Sequence, residues 1–280
     1  MKVCLSSRNT VEYLLKADEI KVQYKDHEII PNLIERYPKA TIILDLNKQY
    51  EFNETDETSW ADIIMYNDLA KNNFICCTET LFQMNYCKEN NLKFYYGFPI
   101  NSFYELQSLK KLGVCYLRLA PPLTHMLPDV AKLEIPIRAV PNICYQDYLP
   151  HQNGIHGQWI RPEDLHIYEL YIDTIEFEDC NEIKEQALYR IYMEEHEWPG
   201  DFDMLFTNFN HPGVNRMIEP IVGRTRMSCG QRCEQNGSCH LCDISVQLAD
   251  PEMWEEYQIS LSDKGRETLH GEEQNEIIDF

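Results

Sequence analysis

The sequence predicts an α/β fold: a (β/α)8-type barrel over residues 1–190, then a small cysteine-rich C-terminal segment. Three observations predict it. Short apolar, β-branched runs alternate with amphipathic stretches through the first 180 positions. Continuous apolar strands separated by helices mark a parallel sheet covered on both faces. This alternation stops after Arg190 and gives way to turn-rich, aromatic sequence and a run of four cysteines. About eight β/α units in so short a length suit a compact barrel with short helices. An open doubly wound sheet is the alternative. No glycine-rich phosphate loop follows the first strand, which argues against a dinucleotide fold.

The strand-like runs are, in order, VCLSS (3–7), EIKVQY (19–24), ATIILDL (40–46), either DIIMY (62–66) or NFICC (73–77), and LKFYYGF (92–98). GVCYLRL (113–119), IPIRAV (135–140), GQWI (157–160) and DTIEFE (173–178) complete the series. Helix punctuation falls between them. Residues 101–111 read as a helix, with Phe103, Leu106, Leu109 and Leu112 on one face and Gly113 as the stop. Arg161-Pro162-Glu163-Asp164 puts proline at the first helical position and two acids where the helix dipole favours them. Leu165, Tyr168 and Ile172 continue its apolar face. Asp250-Pro251-Glu252 repeats the start signal ahead of Met253, Trp254 and Tyr257. Residues 191–266 form an extension, and the acidic stretch 267–280 is expected to be flexible.

Hydrophobic residues make up 44% of the chain, enough for a core of its own. No run approaches the ~20 apolar residues of a membrane helix, and the N-terminus lacks a signal-peptide core. The expectation is a soluble, cytoplasmic protein without membrane contact. The net charge of −21 is uneven, with 25 acidic against 8 basic residues from Glu169 onward. Such a surface repels phosphate backbones, so non-specific nucleic-acid binding is not expected.

Cys229, Cys233, Cys239 and Cys242 lie in the run SCGQRCEQNGSCHLCD. Thiolates are soft anionic ligands, and four of them can close a zinc site or hold an iron–sulfur cluster. Their spacing leaves three, five and two intervening residues. A two-knuckle zinc ribbon has two CxxC pairs, and here only Cys239 and Cys242 form one. His240 or Cys180 could substitute for one thiolate. Arg216, Arg224, Arg226 and Arg232 fall before and within the run. They either offset thiolate charge or receive an anionic group, and Arg224 and Arg226 are the candidate cofactor-binding residues. The other seven cysteines read as small buried hydrophobes.

In a barrel, chemistry sits at the C-terminal ends of the strands. Asp45, Glu79, Arg118, Arg138, Asn142, Trp159, Arg161, Glu176 and Glu178 fall there. Arg118, Arg138, Arg161 and Glu176 are the candidate catalytic residues. Glu176 and Glu178 share a strand face, with Phe177 opposite. A carboxylate inside a barrel is costly unless it is paired, so a Glu176–arginine pair is the structural alternative. No histidine pair has HExxH spacing, and no GxSxG elbow is present.

KKLGVCYLRLA, IPIRAV and DTIEF, followed by GRTRMSCGQRC, make the chain resemble the collagenase-like peptidase family U-32 over roughly residues 60–245. Members are described as peptidases; several support hydroxylation of RNA bases or quinone precursors, and some hold a four-cysteine iron–sulfur cluster. The resemblance implies Cys229 and Cys233 as cluster ligands, to which this sequence adds Cys239 and Cys242. It shifts the expected cofactor from zinc toward a 4Fe-4S cluster. The chain departs from the family in carrying Ala120-Pro121-Pro122-Leu123 at a strand end that the family makes acidic.

Two functions follow from this reading. The first is a metal-containing barrel enzyme acting on a nucleobase or another small anionic or aromatic group. The second is a non-catalytic barrel with structural zinc that binds a partner protein through its acidic C-terminal third.

Overall fold

The computed structural model describes residues 1–98, 100, 102–119, 127–142, 160–178, 180–198 and 205. The four-cysteine run, Arg216, Arg224, Arg226, Arg232, Trp159, the segment at 250–257 and the acidic stretch lie outside the described residues, so those expectations rest on the sequence.

Eight strands form one parallel sheet: β1 Lys2–Ser6, β2 Glu19–Gln23, β3 Thr41–Asp45, β4 Phe74–Thr78, β5 Phe94–Tyr96, β6 Leu117–Leu119, β7 Ile137–Ala139 and β8 Thr174–Glu176. Their order is β5-β4-β3-β2-β1-β8-β7-β6, which is the cyclic order of a (β/α)8 barrel. The seam between β5 and β6 closes through a parallel bridge from Ile100 to Leu119. Ile100 N donates to the Arg118 carbonyl at 2.8 Å, and Cys115 N donates to the Phe94 carbonyl at 2.8 Å.

Helices follow the strands in turn: α1 Val11–Leu14, α2 Ile30–Arg36, α3 Glu57–Ala70, α4 Leu81–Glu89, α5 Phe103–Leu112, α6 Leu127–Val130, α7 Leu165–Tyr168 and α8 Glu182–Arg190. No helix among the described residues is long and apolar enough to cross a membrane.

Local rules account for the elements that set the site. Helix α5 starts at Ser102, whose hydroxyl accepts from Glu105 N at 3.2 Å, and stops at Gly113, where φ is 91° and glycine is favoured. Leu106 and Leu109 are buried on its inner face. Helix α4 opens on a capping box between Thr80 and Gln83. The Gln83 amide also donates to the Leu46 carbonyl at 3.1 Å, tying the ends of β3 and β4 together. Pro162 occupies the first turn ahead of α7, and Leu165, Tyr168 and Ile172 are buried as expected.

The fourth strand is the NFICC run. DIIMY lies inside α3, where Trp60, Ile63, Tyr66 and Ala70 recur at helical spacing and are buried. GQWI supplies no strand among the described residues: positions 157–159 lie outside them, and Ile160 is buried beyond the sheet.

Strand alternation divides the interior in two. Val3, Leu5, Ile20, Val22, Ile42, Leu44, Phe74, Leu117, Leu119, Ile137 and Ile175 face outward into the layer beneath the helices. Each such side chain stabilises the fold by about 1.5–3 kcal/mol. Cys4, Ile43, Ile75, Cys77 and Tyr95 pack together inside the barrel. Charged side chains occupy several of the other inward positions and form a network beneath the mouth.

Candidate active site at the barrel mouth

A cavity of about 410 Å³ opens at the C-terminal ends of β1–β5 and β8. Its floor includes Cys4, Lys21, Asp45, Cys77, Gly97 and Glu176; Tyr50 and Phe98 contribute aromatic surface.

The floor is built on an ion network inside the barrel. On β2, Ile20 and Val22 face the helices, so Glu19 and Lys21 face the lumen. Lys21 Nζ lies 2.7 Å from Glu176 Oε1 and 3.1 Å from Asp45 Oδ2. Arg118 and Arg138 are direct register partners on β6 and β7, so their side chains stand side by side. Arg118 Nη2 reaches Glu176 at 3.3 Å and Glu178 at 2.8 Å, and its Nη1 donates to the Gly97 carbonyl. Arg138 pairs with Glu19 through Nη2 and with Glu176 through Nη1, the latter at 3.2 Å. The Tyr95 and Tyr116 ring centroids each lie 4.9 Å from the Arg138 guanidinium carbon. Tyr116 completes the set by donating to Glu19 at 3.0 Å. Buried charges persist only when matched in this way.

The network fixes protonation states. Burial alone would push the Glu176 carboxyl up, but Arg118, Lys21 and Arg138 outweigh it and hold the group well below the usual carboxylate range. Burial alone would lower Lys21, but Asp45 and Glu176 hold its ammonium well above the ordinary lysine value. Burial pushes the Cys77 thiol up to about 12, with Asp45 adding to the effect, and drives Cys4 higher still. Neither thiol nor amine in this floor is a ready nucleophile near neutral pH.

Gly97 shapes the wall. Its amide donates to the Thr78 carbonyl at 2.7 Å, and a Cβ there would lie 2.7 Å from Cys77 Sγ and 3.3 Å from the Thr78 oxygen. Asn142 holds the β8 end, donating to the Glu178 carbonyl at 2.8 Å and accepting from Glu178 N at 3.0 Å.

The structure thus brings together three of the four residues singled out from the sequence: Arg118, Arg138 and Glu176. The fourth, Arg161, is engaged by Asp164, with Nε 2.8 Å from Oδ2. Asp45, Glu79 and Glu178 line the cavity as their strand-end positions imply. Sequence reasoning missed Glu19 and Lys21, although the strict alternation in EIKVQ carries the signal. It also missed Glu185, one of two acids in the first turn of the amphipathic helix α8. Glu185 is buried, faces the cavity, and accepts from Ser6 N at 3.0 Å and Asn9 Nδ2 at 2.6 Å. Among the described residues, no group of three or more His, Cys, Asp or Glu side chains is arranged to hold a metal ion.

No family model and no curated protein matches the chain. Solved structures align with parts of the chain. KDPG aldolase from Legionella pneumophila aligns at 10% identity and TM-score 0.40, over 63% of this chain and 82% of that one. 3-Keto-L-gulonate-6-phosphate decarboxylase from Vibrio cholerae aligns at 11% identity and TM-score 0.37, over 71% and 99%. A designed cube-shaped protein cage aligns at 11% identity and TM-score 0.42, over 70% and 73%.

Proposed function

We propose that the chain is a barrel enzyme that binds a small neutral or cationic molecule in the mouth cavity. The observation that carries this reading is the charge of the lining. Asp45, Glu79, Glu176, Glu178, Glu182 and Glu185 face Arg8 and Lys21. Both cations already have partners: Lys21 has Asp45 and Glu176, and Arg8 has Asp26 at 3.4 Å and Gln23. An anionic ligand would meet net negative charge and would have to break an existing pair. Of the substrate classes expected from the sequence, the nucleobase fits this lining better than the anion, and Tyr50 and Phe98 offer it aromatic surface.

Cys229, Cys233, Cys239 and Cys242 enter the proposal as a metal centre, with Arg224 and Arg226 just ahead of them in the sequence. Four thiolates suit zinc and an iron–sulfur cluster alike, and the U-32 resemblance favours the cluster.

Saturation-transfer NMR on the full chain tests the cavity reading with uracil, cytosine and glycinamide against inorganic phosphate and pyruvate. Binding of the neutral or cationic probes supports it. Binding of the anions alone overturns it.

A further inference from the structure

The carboxylates of the cavity stand in two kinds of surroundings. Glu176 is matched by Lys21, Arg118 and Arg138; Asp45 is matched by Lys21; Glu178 is matched by Arg118. Glu185 differs. It reaches the same cavity from α8, and its hydrogen bonds come from two neutral donors, Ser6 N and the Asn9 amide. No cation lies within ion-pair distance of it among the described residues. Each of its oxygens keeps a lone pair beyond these contacts. Asn9 is buried too, and its Oδ1 has no partner.

Building on the cavity reading above, we propose that Glu185 is the catalytic residue that exchanges a proton with the bound molecule, and that Asn9 is its positioning residue. Ionised Glu185 takes a proton from an acidic C–H of the ligand. The electron pair of the broken C–H bond moves into the ligand's own carbonyl or ring. The carboxylic acid then returns the proton to the same atom or to one conjugated with it. Nothing is oxidised and no co-reactant is consumed. When Glu185 is protonated, a turn of the Asn9 amide, which gives up its 3.1 Å bond to the Ser6 carbonyl, lets the unpartnered Oδ1 accept from the acid.

The electrostatics agree with the geometry. Burial pushes the Glu185 carboxyl up to about 7 and Glu176 raises it further, against the donors Ser6 N and Asn9 and the charge of Lys21. Arg8, Glu178 and Glu182 share the cavity wall with it. A carboxyl placed near neutrality is populated in both forms, as proton exchange requires. One cavity thus holds one carboxylate kept ionised and one left free to titrate, a separation that marks acid–base assignments.

The test incubates the full chain in D2O with hydroxyacetone, aminoacetone, glycinamide and uracil, following loss of C–H signals by NMR. A carbon-13 titration of Glu185 runs beside it. The expected result is a midpoint near neutral pH and exchange that falls about 100-fold or more in E185Q while probe binding persists. E185Q keeps the acceptor for Ser6 N and offers its amide to Asn9 Oδ1. Should that variant fail to fold, the wild-type titration decides, and a midpoint near 4 overturns the proposal. Probes that bind without exchanging, or that exchange equally in E185Q, overturn it and leave the cavity reading intact. A panel with no binder overturns both.

Discussion

Arg138 and Glu176 stand on adjacent strands and meet inside the barrel, Nη1 to Oε2 at 3.2 Å, both almost wholly removed from water. Arg138 also carries Glu19. Arg138→Met therefore leaves Glu19 without a cation, takes one of three cations from Glu176, and is expected to cost about 3–5 kcal/mol, measured by urea unfolding. Adding Glu19→Gln is expected to recover part of that loss. Strictly additive costs in the double variant would show that the pair is not coupled.

Gly97→Ala forces a methyl group against Cys77 Sγ and the Thr78 carbonyl. The expected cost is about 1–3 kcal/mol. Cys77→Ala in the same chain removes the nearer contact and is expected to restore most of the stability. A Gly97→Ala melting temperature equal to wild type would refute the crowding.

Stability is expected to depend on pH through Glu185. Its folded value of about 7 lies above its ordinary 4.5. The folded chain therefore binds more protons than the unfolded chain between these values, and stability falls as pH rises through that window. The loss approaches about 3 kcal/mol, and E185Q removes this slope. Glu176 acts in the opposite sense. Its depressed value gives stability that is present above 4.5 and lost only in strongly acidic solution. Parallel stability curves for wild type and E185Q between pH 5 and pH 8 would contradict the assignment.

Lys21 sits where an amine nucleophile would be useful, but its ammonium is held protonated by Asp45 and Glu176. Borohydride trapping with pyruvaldehyde at neutral pH is expected to leave the peptide carrying Lys21 unmodified. A reduced imine at Lys21 in the mass spectrum would show that the amine is free.

Cys239→Ser is expected to lower bound metal and the melting temperature together, because structural metal binding and folding are coupled. Metal analysis and the visible absorbance of the native protein identify the ion. Unchanged metal content in this variant would remove Cys239 from the ligand set.

The barrel was legible because its strands are continuous apolar runs, and the runs at β1, β3 and β8 lie within a residue or two of the observed strands. The fourth strand was ambiguous for a physical reason. DIIMY and NFICC are equally apolar, and only the helical recurrence of Trp60, Ile63, Tyr66 and Ala70 separates them. The site was half legible. Arg118, Arg138 and Glu176 announced themselves as charges in apolar strands. Glu185 could not, because its meaning comes from Ser6 and Asn9, which lie more than 170 positions away along the chain.

The lumen holds Lys21, Arg118 and Arg138 against Glu19, Asp45 and Glu176. Three charges of each sign in so confined a space have a consequence for ancestry. A lineage that loses Arg138 inherits an unmatched Glu19, so viable drift proceeds by compensated exchanges. Relatives of this chain are expected to differ there in couples, and a change that looks radical at one position will be conservative once its partner is read beside it.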